Sequence, residues 1–461
     1  MDISRHSLTV ALLTMLERIG QRFERLVRQY MPDPFLLALI LTFVTFALAL
    51  IFTKSTLTEL IHQWFGDEKK GFWALLPFAM QMVLIVVTGE AVAASPLIHA
   101  GIKKLAGVPK TAFGAVAFVS FIAILFGWLH WGFGLIGAAL LARETSAQAR
   151  ASGLKLHYPL MGAAAYTALL IWHAGLSGSA PLLVNTKDHF LAAEIGQVPL
   201  SQTIFDPMNF VACGILLCVV PFLLAATSPK ENIEEISPER LAEMQPIEVV
   251  PDRSTLAGRM DASPLTLWMI VVLGATFLYG HFSTKGADLN PNIVNFLFLM
   301  LGLALHRSPV AYMKAISQSV RGTAGIVLQF PFYGGIMGIM KDSGLNHELA
   351  NVIIHFASAR TLPFFAYVSS AFSKLFVPSG GGEWAVEGPV MLAAAKNLGA
   401  PYGKTIMAVA YGNMVGNMFQ PFWALPLLGI MGLSARQIMG YCLVVFCFAF
   451  PLLGMVLLIF S

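Results

Sequence analysis

The sequence predicts an all-α polytopic membrane protein made of two structural repeats, each holding a helical hairpin whose tip interrupts a membrane segment. Three observations lead there. Of 461 residues, 57% are hydrophobic and 12% charged, at a mean hydropathy of +0.72, whereas a soluble domain carries about 25% charged residues. Apolar runs near the ~20 residues that cross a bilayer recur along the chain. Two of these runs are interrupted by glycine–serine stretches, Trp172 to Pro181 and Phe376 to Trp384.

The second interruption reads Val-Pro-Ser-Gly-Gly-Gly-Glu-Trp from Val377. Each glycine costs about 1 kcal/mol against alanine in a helix interior, so a helix break is expected at Gly380-Gly381-Gly382. At membrane depth irregular backbone survives only where protein buries it or it lines a cavity. An offset of 202 places Ser177-Gly178 on Ser379-Gly380, Trp131-Gly132 on Tyr333-Gly334 and Thr203-Ile204 on Thr405-Ile406. This duplication, with one broken element per half, is the single-sequence signature of a secondary transporter's site.

The expected organisation is an amphipathic surface helix within 1–33, a first membrane repeat over 34–227 with its tip near 177–181, a hydrophilic linker over 228–263, and a second repeat over 264–461 with its tip near 378–383. From Ser7 to Tyr30 the apolar residues Leu12, Leu16, Ile19, Phe23, Leu26 and Tyr30 recur at helical spacing. Such a helix lies on a membrane surface. Arg5, Arg18, Arg22, Arg25 and Arg28 precede the first span, which argues for a cytoplasmic N-terminus. Spans are expected at Pro34 to Phe52 and Phe72 to Thr88, followed by a mixed helix from Glu90 to Gly107.

Thr111 to Ala142 is long for one helix and tight for two, and basic residues at both ends suggest that it turns back on itself. Pro159 to Val184 carries the first tip, and Thr203 to Ala226 is a further span in which Asp206-Pro207 reads as a turn. The linker holds eight acidic residues, four basic residues and four prolines. Spans at Pro264 to Phe282 and Pro291 to Leu305 open the second half. Next come an amphipathic piece near Met313 to Ser319, an apolar run from Gly325 to Met340 expected to break at Pro331, and the glycine-rich hairpin. Tyr402 to Gly432 and Ile438 to Phe460 complete the chain. The net charge of +4 is too small for a nucleic-acid partner. Cys213, Cys218, Cys442 and Cys447 all lie in apolar segments as small hydrophobes, with no disulfide framework, transition-metal pattern or cofactor motif.

Where a helix pair meets at a glycine–serine turn, bare backbone N–H groups and a positive dipole end face the gap. Small side chains there leave room for a small carboxylate, so Ser177, Gly178, Ser179, Ser379, Gly380, Gly381 and Gly382 are the candidate substrate residues. Asn413, Asn417 and Gln420 interrupt a later apolar run and need partners at membrane depth; they are expected to face the tip, are candidate substrate residues as well, and could coordinate sodium. Glu383 and Glu387, one turn apart, are costly inside a bilayer and are candidates for holding a coupling ion, with Asn413 and His173. The bland readings are a Glu–Lys374 pair, glycines as packing devices, and His130 and His173 as hydrogen-bonded core residues. Trp128, Trp131, Phe330, Phe332 and Tyr333 read as packing or as an aromatic wall for a short acyl chain.

Four stretches carry a resemblance: Gly-Leu-Ser-Gly-Ser-Ala-Pro-Leu-Leu-Val (175–184), Leu-Gln-Phe-Pro-Phe-Tyr-Gly-Gly-Ile-Met-Gly (328–338), Val-Pro-Ser-Gly-Gly-Gly-Glu-Trp-Ala-Val (377–386) and Gln-Pro-Phe-Trp-Ala-Leu-Pro-Leu-Leu-Gly-Ile (420–430). From about Met31 onward the chain resembles the bacterial short-chain fatty acid transporters, of the acetoacetate and butyrate uptake type, within the ion-transporter superfamily. The resemblance implies monocarboxylate uptake across the inner membrane, coupled to H+ or Na+. It also implies inverted repeats with re-entrant hairpins, a homodimer, and a transport domain that moves like an elevator against a scaffold. The serine-asparagine-threonine tip of the superfamily's sodium-dependent dicarboxylate branch is absent, which weighs against sodium coordination by the tips. Two other functions compete: a passive anion channel, since broken helices also line filters, and an intramembrane serine protease using Ser177 in Gly-Leu-Ser-Gly with His130 or His173 as base.

Overall fold

The computed structural model describes residues 34–67, 70–229, 231–242, 254–286, 288–306, 308–374, 377 and 379–460; the stretch expected to form the surface helix at Ser7 to Tyr30 lies outside them. Helices account for the architecture: α1 (Pro34–Phe52), α2 (Leu76–Ala93), α3 (Ala112–Leu129), α4 (Trp131–Ala151), α5 (Tyr158–Tyr166), α6 (Ser179–Val184), α7 (Pro207–Ala226), α8 (Leu265–Lys285), α9 (Pro291–Leu305), α10 (Ala324–Asp342), α11 (Leu362–Ser373), α12 (Gly380–Leu398), α13 (Tyr402–Gly416), α14 (Ala424–Met431) and α15 (Ala435–Phe460), with shorter helices between them. Among the described residues six helices, several extended by an adjoining turn, are long and apolar enough to cross a membrane, or seven if the bent pair 309–319 and 324–342 is one span. The chain is a multi-pass membrane protein.

Local chemistry explains several boundaries. Asp206 is an N-cap rather than only a turn residue: its carboxylate accepts the Met208 N–H at 2.8 Å, and Pro207 occupies the first helical position of α7, where its missing donor costs nothing. The run from Thr111 is two helices that meet at His130 and fold onto each other, so that a Cβ built on Gly134 would lie 2.6 Å from the Gly127 Cα. Glu90 belongs to α2, which runs past the expected end at Thr88 to Ala93, and a separate helix spans Pro96–Ala106.

Two expected breaks are corrected. Gly380, Gly381 and Gly382 do not interrupt a helix; they form the first turn of α12, and the chain breaks before them, beyond Ser373. A first turn lacks intrahelical partners for its N–H groups anyway, and each glycine is dictated by close neighbours: an added Cβ would meet Trp172 at 2.5 Å, Phe78 at 3.1 Å and Tyr333 at 2.6 Å respectively. Pro331 likewise lies inside α10, which continues through it. The bend of 56° falls between the helix Pro309–Ser319 and α10.

The most buried segment is 158–184, 94% of whose apolar window lies inside the protein, whereas only 22% of the window around α8 does. The chain therefore has a dry centre, formed by α5, the unwound stretch after it and α6, and a lipid-facing periphery. The start of the linker docks on this body: the Tyr158 N–H donates to the Glu234 carbonyl at 2.7 Å and Ile236 is buried. Backbone meets backbone at the centre, where a Cβ on Gly127 would fall 1.9 Å from the Ala168 carbonyl oxygen. Gly127→Ala should therefore cost several kcal/mol through a shifted helix pair, whereas Gly280→Ala, with nothing within 4 Å of the new methyl, should not. The check is the thermal melting and yield of monodisperse protein in detergent for the two variants.

Candidate functional site

Between α5 and α6 the chain passes through short 3-10 turns, Thr167–Leu170 and Trp172–Ala174. Groups from distant parts of the chain bond to several atoms of this stretch. The Leu176 N–H donates to the Trp128 carbonyl at 2.8 Å, and the Trp131 N–H donates to the Ser177 Oγ at 3.0 Å. Asn209 Nδ2 donates to the Ala174 and Ile204 carbonyls at 2.9 and 2.8 Å, while the Tyr411 hydroxyl donates to Asn209 Oδ1 at 2.9 Å. Asn417 Nδ2 donates to the Leu169 carbonyl at 3.1 Å. The Ala180 N–H donates to His173 Nε2 at 3.1 Å, which fixes that nitrogen as the unprotonated one.

Against this stretch sits a small cavity of about 20 Å³, room for about one water molecule, so a ligand the size of a short-chain acid needs its walls to move apart. Both interrupted segments line it: Ser179 from the first, Ser379, Gly380 and Gly381 from the second. Trp131, Trp172 and Trp423 form an aromatic wall, with ring centroids 5.6 Å apart for Trp131–Trp172 and 5.2 Å for Trp131–Trp423. Met82, Leu169 and Ile326 supply the remaining apolar lining, and Asn417 the amide. The Nε1 atoms of Trp131 and Trp172 are buried with no partner in the protein, as is Asn417 Oδ1. Ser379 caps α12 through Gly382, which leaves the amides of Gly380 and Gly381 at the open, positive end of the helix.

Other expected residues stand elsewhere. Ser177 is fully buried with its hydroxyl taken by Trp131, and Gly178 packs against the His173 carbonyl, 2.3 Å from where a Cβ would be; neither lines the cavity. Gln420 turns its Oε1 to the Phe422 N–H at 3.2 Å. His130 caps α4 by accepting the Phe133 N–H at 3.3 Å and lies on Phe298 at 3.8 Å.

Behind the cavity, where α11, α12 and α13 cross, is a buried cluster of charged and polar groups. Glu383 accepts hydrogen bonds from the Ser370 hydroxyl and the Asn413 amide, and from the Ser373 hydroxyl at 2.9 Å. Lys374 Nζ donates to Asn413 Oδ1 at 3.1 Å, and its charge attracts Glu383. Glu387 Oε2 lies 3.2 Å from the Ser373 hydroxyl, while its Oε1 is buried with no partner. Gly380 touches both features, since a Cβ there would lie 2.5 Å from the Trp172 ring and 3.1 Å from Asn413 Oδ1.

Sequence reasoning passed over Ser370, Ser373, Met82 and Ile326, which are single residues in apolar helices with no local signal. Ser373 and Lys374 follow Ser370 by three and four residues, each a helical neighbour of it, a pattern that becomes informative only beside Glu383 and Glu387. Trp172 and Trp423 lie in the quoted stretches, yet nothing in one dimension places them on one wall.

The profile of the family described as "Short chain fatty acid transporter" matches residues 15–460. Two relatives, from Escherichia coli (strain K12) and Haemophilus influenzae, are each 40% identical, over 94% and 95% of this chain and 98% of their own length, and both carry the description "Putative short-chain fatty acid transporter". Among solved structures, that of the Alcanivorax borkumensis YdaH transporter aligns over 92% of this chain and 98% of its own with a TM-score of 0.56 and 17% identity, a likeness of fold. The protease alternative falls here: the family consists of transporters, and Ser177 bonds to a backbone amide rather than to His130 or His173. The chain belongs to the short chain fatty acid transporter family.

Proposed function

We propose that this protein takes up short-chain monocarboxylates such as acetoacetate or butyrate across the bacterial inner membrane by secondary active transport, coupled to H+ or Na+. One observation carries the reading: the open end of α12, at Ser379 to Gly381, meets Ser179, Trp131 and Trp172 around a small cavity with apolar walls, and the buried indole N–H groups of both tryptophans have no partner in the protein. A carboxylate finds donors and a positive dipole end there without a buried arginine, and a short acyl chain finds tryptophan and aliphatic surface. Ser179, Ser379, Gly380, Gly381 and Asn417 would contact substrate, with Ser177, Gly178, Gly382 and Gln420 shaping the two tips. His173, Glu383, Glu387 and Asn413 are the groups proposed to hold the coupling ion.

The division into two inverted repeats joined by the 228–263 linker, the elevator-type motion, the homodimer and the cytoplasmic N-terminus belong to the same proposal and rest on the sequence and its resemblance. A passive channel would carry the same anions only downhill, so accumulation of labelled butyrate in proteoliposomes under an imposed ion gradient supports the transporter reading and its absence refutes it. Gly380→Ala brings a methyl to 2.5 Å from Trp172 at the cavity edge and should lower uptake about tenfold or more. Gly429→Ala, in open space, should leave uptake unchanged. Trp131→Ala enlarges the cavity and should move the ratio of hexanoate to butyrate transport upward by about tenfold, the scale of one or two methylenes in an apolar pocket; competition assays with acids of increasing length measure it.

A further inference from the structure

The cluster behind the cavity places two carboxylates, Glu383 and Glu387, opposite one ammonium, Lys374, all three buried. An unneutralised carboxylate at such a position takes up a proton rather than remain charged. The hydrogen bonds locate that proton. Ser370 and Ser373 each own a single hydroxyl hydrogen. Ser370 Oγ faces Glu383 Oε1 and the Val409 carbonyl, and Ser373 Oγ faces Glu383 Oε1 and Glu387 Oε2. With the Ser370 carbonyl also 3.2 Å from Ser373 Oγ, five oxygen–oxygen contacts share two serine hydrogens, and a proton on a carboxyl would serve one that they leave open. Glu383 is the carboxylate already served by Asn413 Nδ2 and the Lys374 charge. Glu387 has an unpartnered Oε1.

We infer that the coupling ion is a proton carried on Glu387, donated through Oε2 to Ser373, whose own hydrogen then points to an ionised Glu383. This rests on the transport reading above and names its ion. The groups around the pair agree with it. On α10 the Tyr333 hydroxyl donates away from the cluster, to Gln329 Oε1 at 3.0 Å. On the helix Leu345–Ile354 the ionisable His347 and Glu348 are exposed. His173, near Lys374, accepts the Ala180 N–H and is neutral. On α2 the acidic residue is Glu90, 12 positions and so about 18 Å of helix beyond Phe78, the residue that meets α12. α6 carries no ionisable side chain.

The cycle balances in charge and mass. Glu387 takes a proton from water on the outer side as the substrate anion enters beside Gly380, and releases it to water on the inner side when the anion leaves. One monocarboxylate and one proton cross with no net charge. The link between the sites runs through Gly380 and Asn413, since Asn413 Oδ1 stands beside Gly380, which lines the cavity, and its Nδ2 donates to Glu383.

The test uses the full chain in proteoliposomes with labelled butyrate. A one-unit inward pH gradient should sustain about tenfold accumulation at one proton per anion, insensitive to replacing Na+ by K+ and to an imposed membrane potential. Glu387→Gln keeps the shape of a protonated carboxyl; it should accumulate nothing above equilibrium, while its slower butyrate exchange becomes flat with pH. A second readout does not depend on transport: infrared difference spectra of the detergent-purified protein should show a protonated-carboxyl band that moves on adding butyrate, is lost in Glu387→Gln and shifts in Ser373→Ala. Accumulation driven by sodium, or pH-driven accumulation surviving in Glu387→Gln, or the absence of that band, overturns the proposal. If wild-type protein neither binds nor exchanges butyrate, the transport reading fails instead, and the infrared band still decides where the proton resides.

Discussion

The structure depends on one constraint: backbone that leaves a helix inside a membrane must find every hydrogen bond from protein. The stretch from Thr167 to Gly178 draws backbone partners from distant parts of the chain, among them Trp128 from the α3–α4 junction, Asn209 from α7, itself held by Tyr411 of α13, and Asn417 beyond it, while Trp131 bonds the Ser177 hydroxyl. Each is a neutral amide, indole-bearing residue or hydroxyl. A neutral partner avoids the cost of a buried ion and still offers both donor and acceptor. The unwound centre is therefore a keystone held from several sides, and the helices around it are fixed by what it requires.

The cavity is a by-product of the same crossing. Where Gly380 and Gly381 begin α12, large rings from elsewhere fill the volume that side chains would have taken, with Trp172 against the first and Phe78 against the second. The glycines let aromatic surface reach the end of a helix. A site made in this way has backbone donors at one end and an apolar wall beside them, the combination that a short amphipathic acid requires.

The charged cluster stands one step back from that site. Its groups have hydrogen bonds and charges that nearly cancel, so it is affordable inside the membrane only as a set. Removing Lys374 or Glu383 would leave the other's charge buried without compensation, a loss larger than the net worth of the pair it broke. Asn413 joins the two regions, since one amide faces Lys374 and Glu383 and also the Gly380 end of α12.

The amino-acid sequence by itself determined the class of protein, the positions of most apolar helices and the interruption of two of them, because hydropathy and glycine content act locally. It also singled out Glu383, Glu387 and Asn413, since ionisable and amide side chains in apolar runs are conspicuous one residue at a time. What it could not determine was the place of the second break, because whether Gly380 to Gly382 end a helix or begin one depends on the rings of Trp172, Phe78 and Tyr333 pressing on them. Nor could it separate Ser179, which lines the cavity, from Ser177, which is spent on a backbone amide. Only the tertiary structure decided that, for the two serines share the same local sequence and differ in which distant element stands opposite.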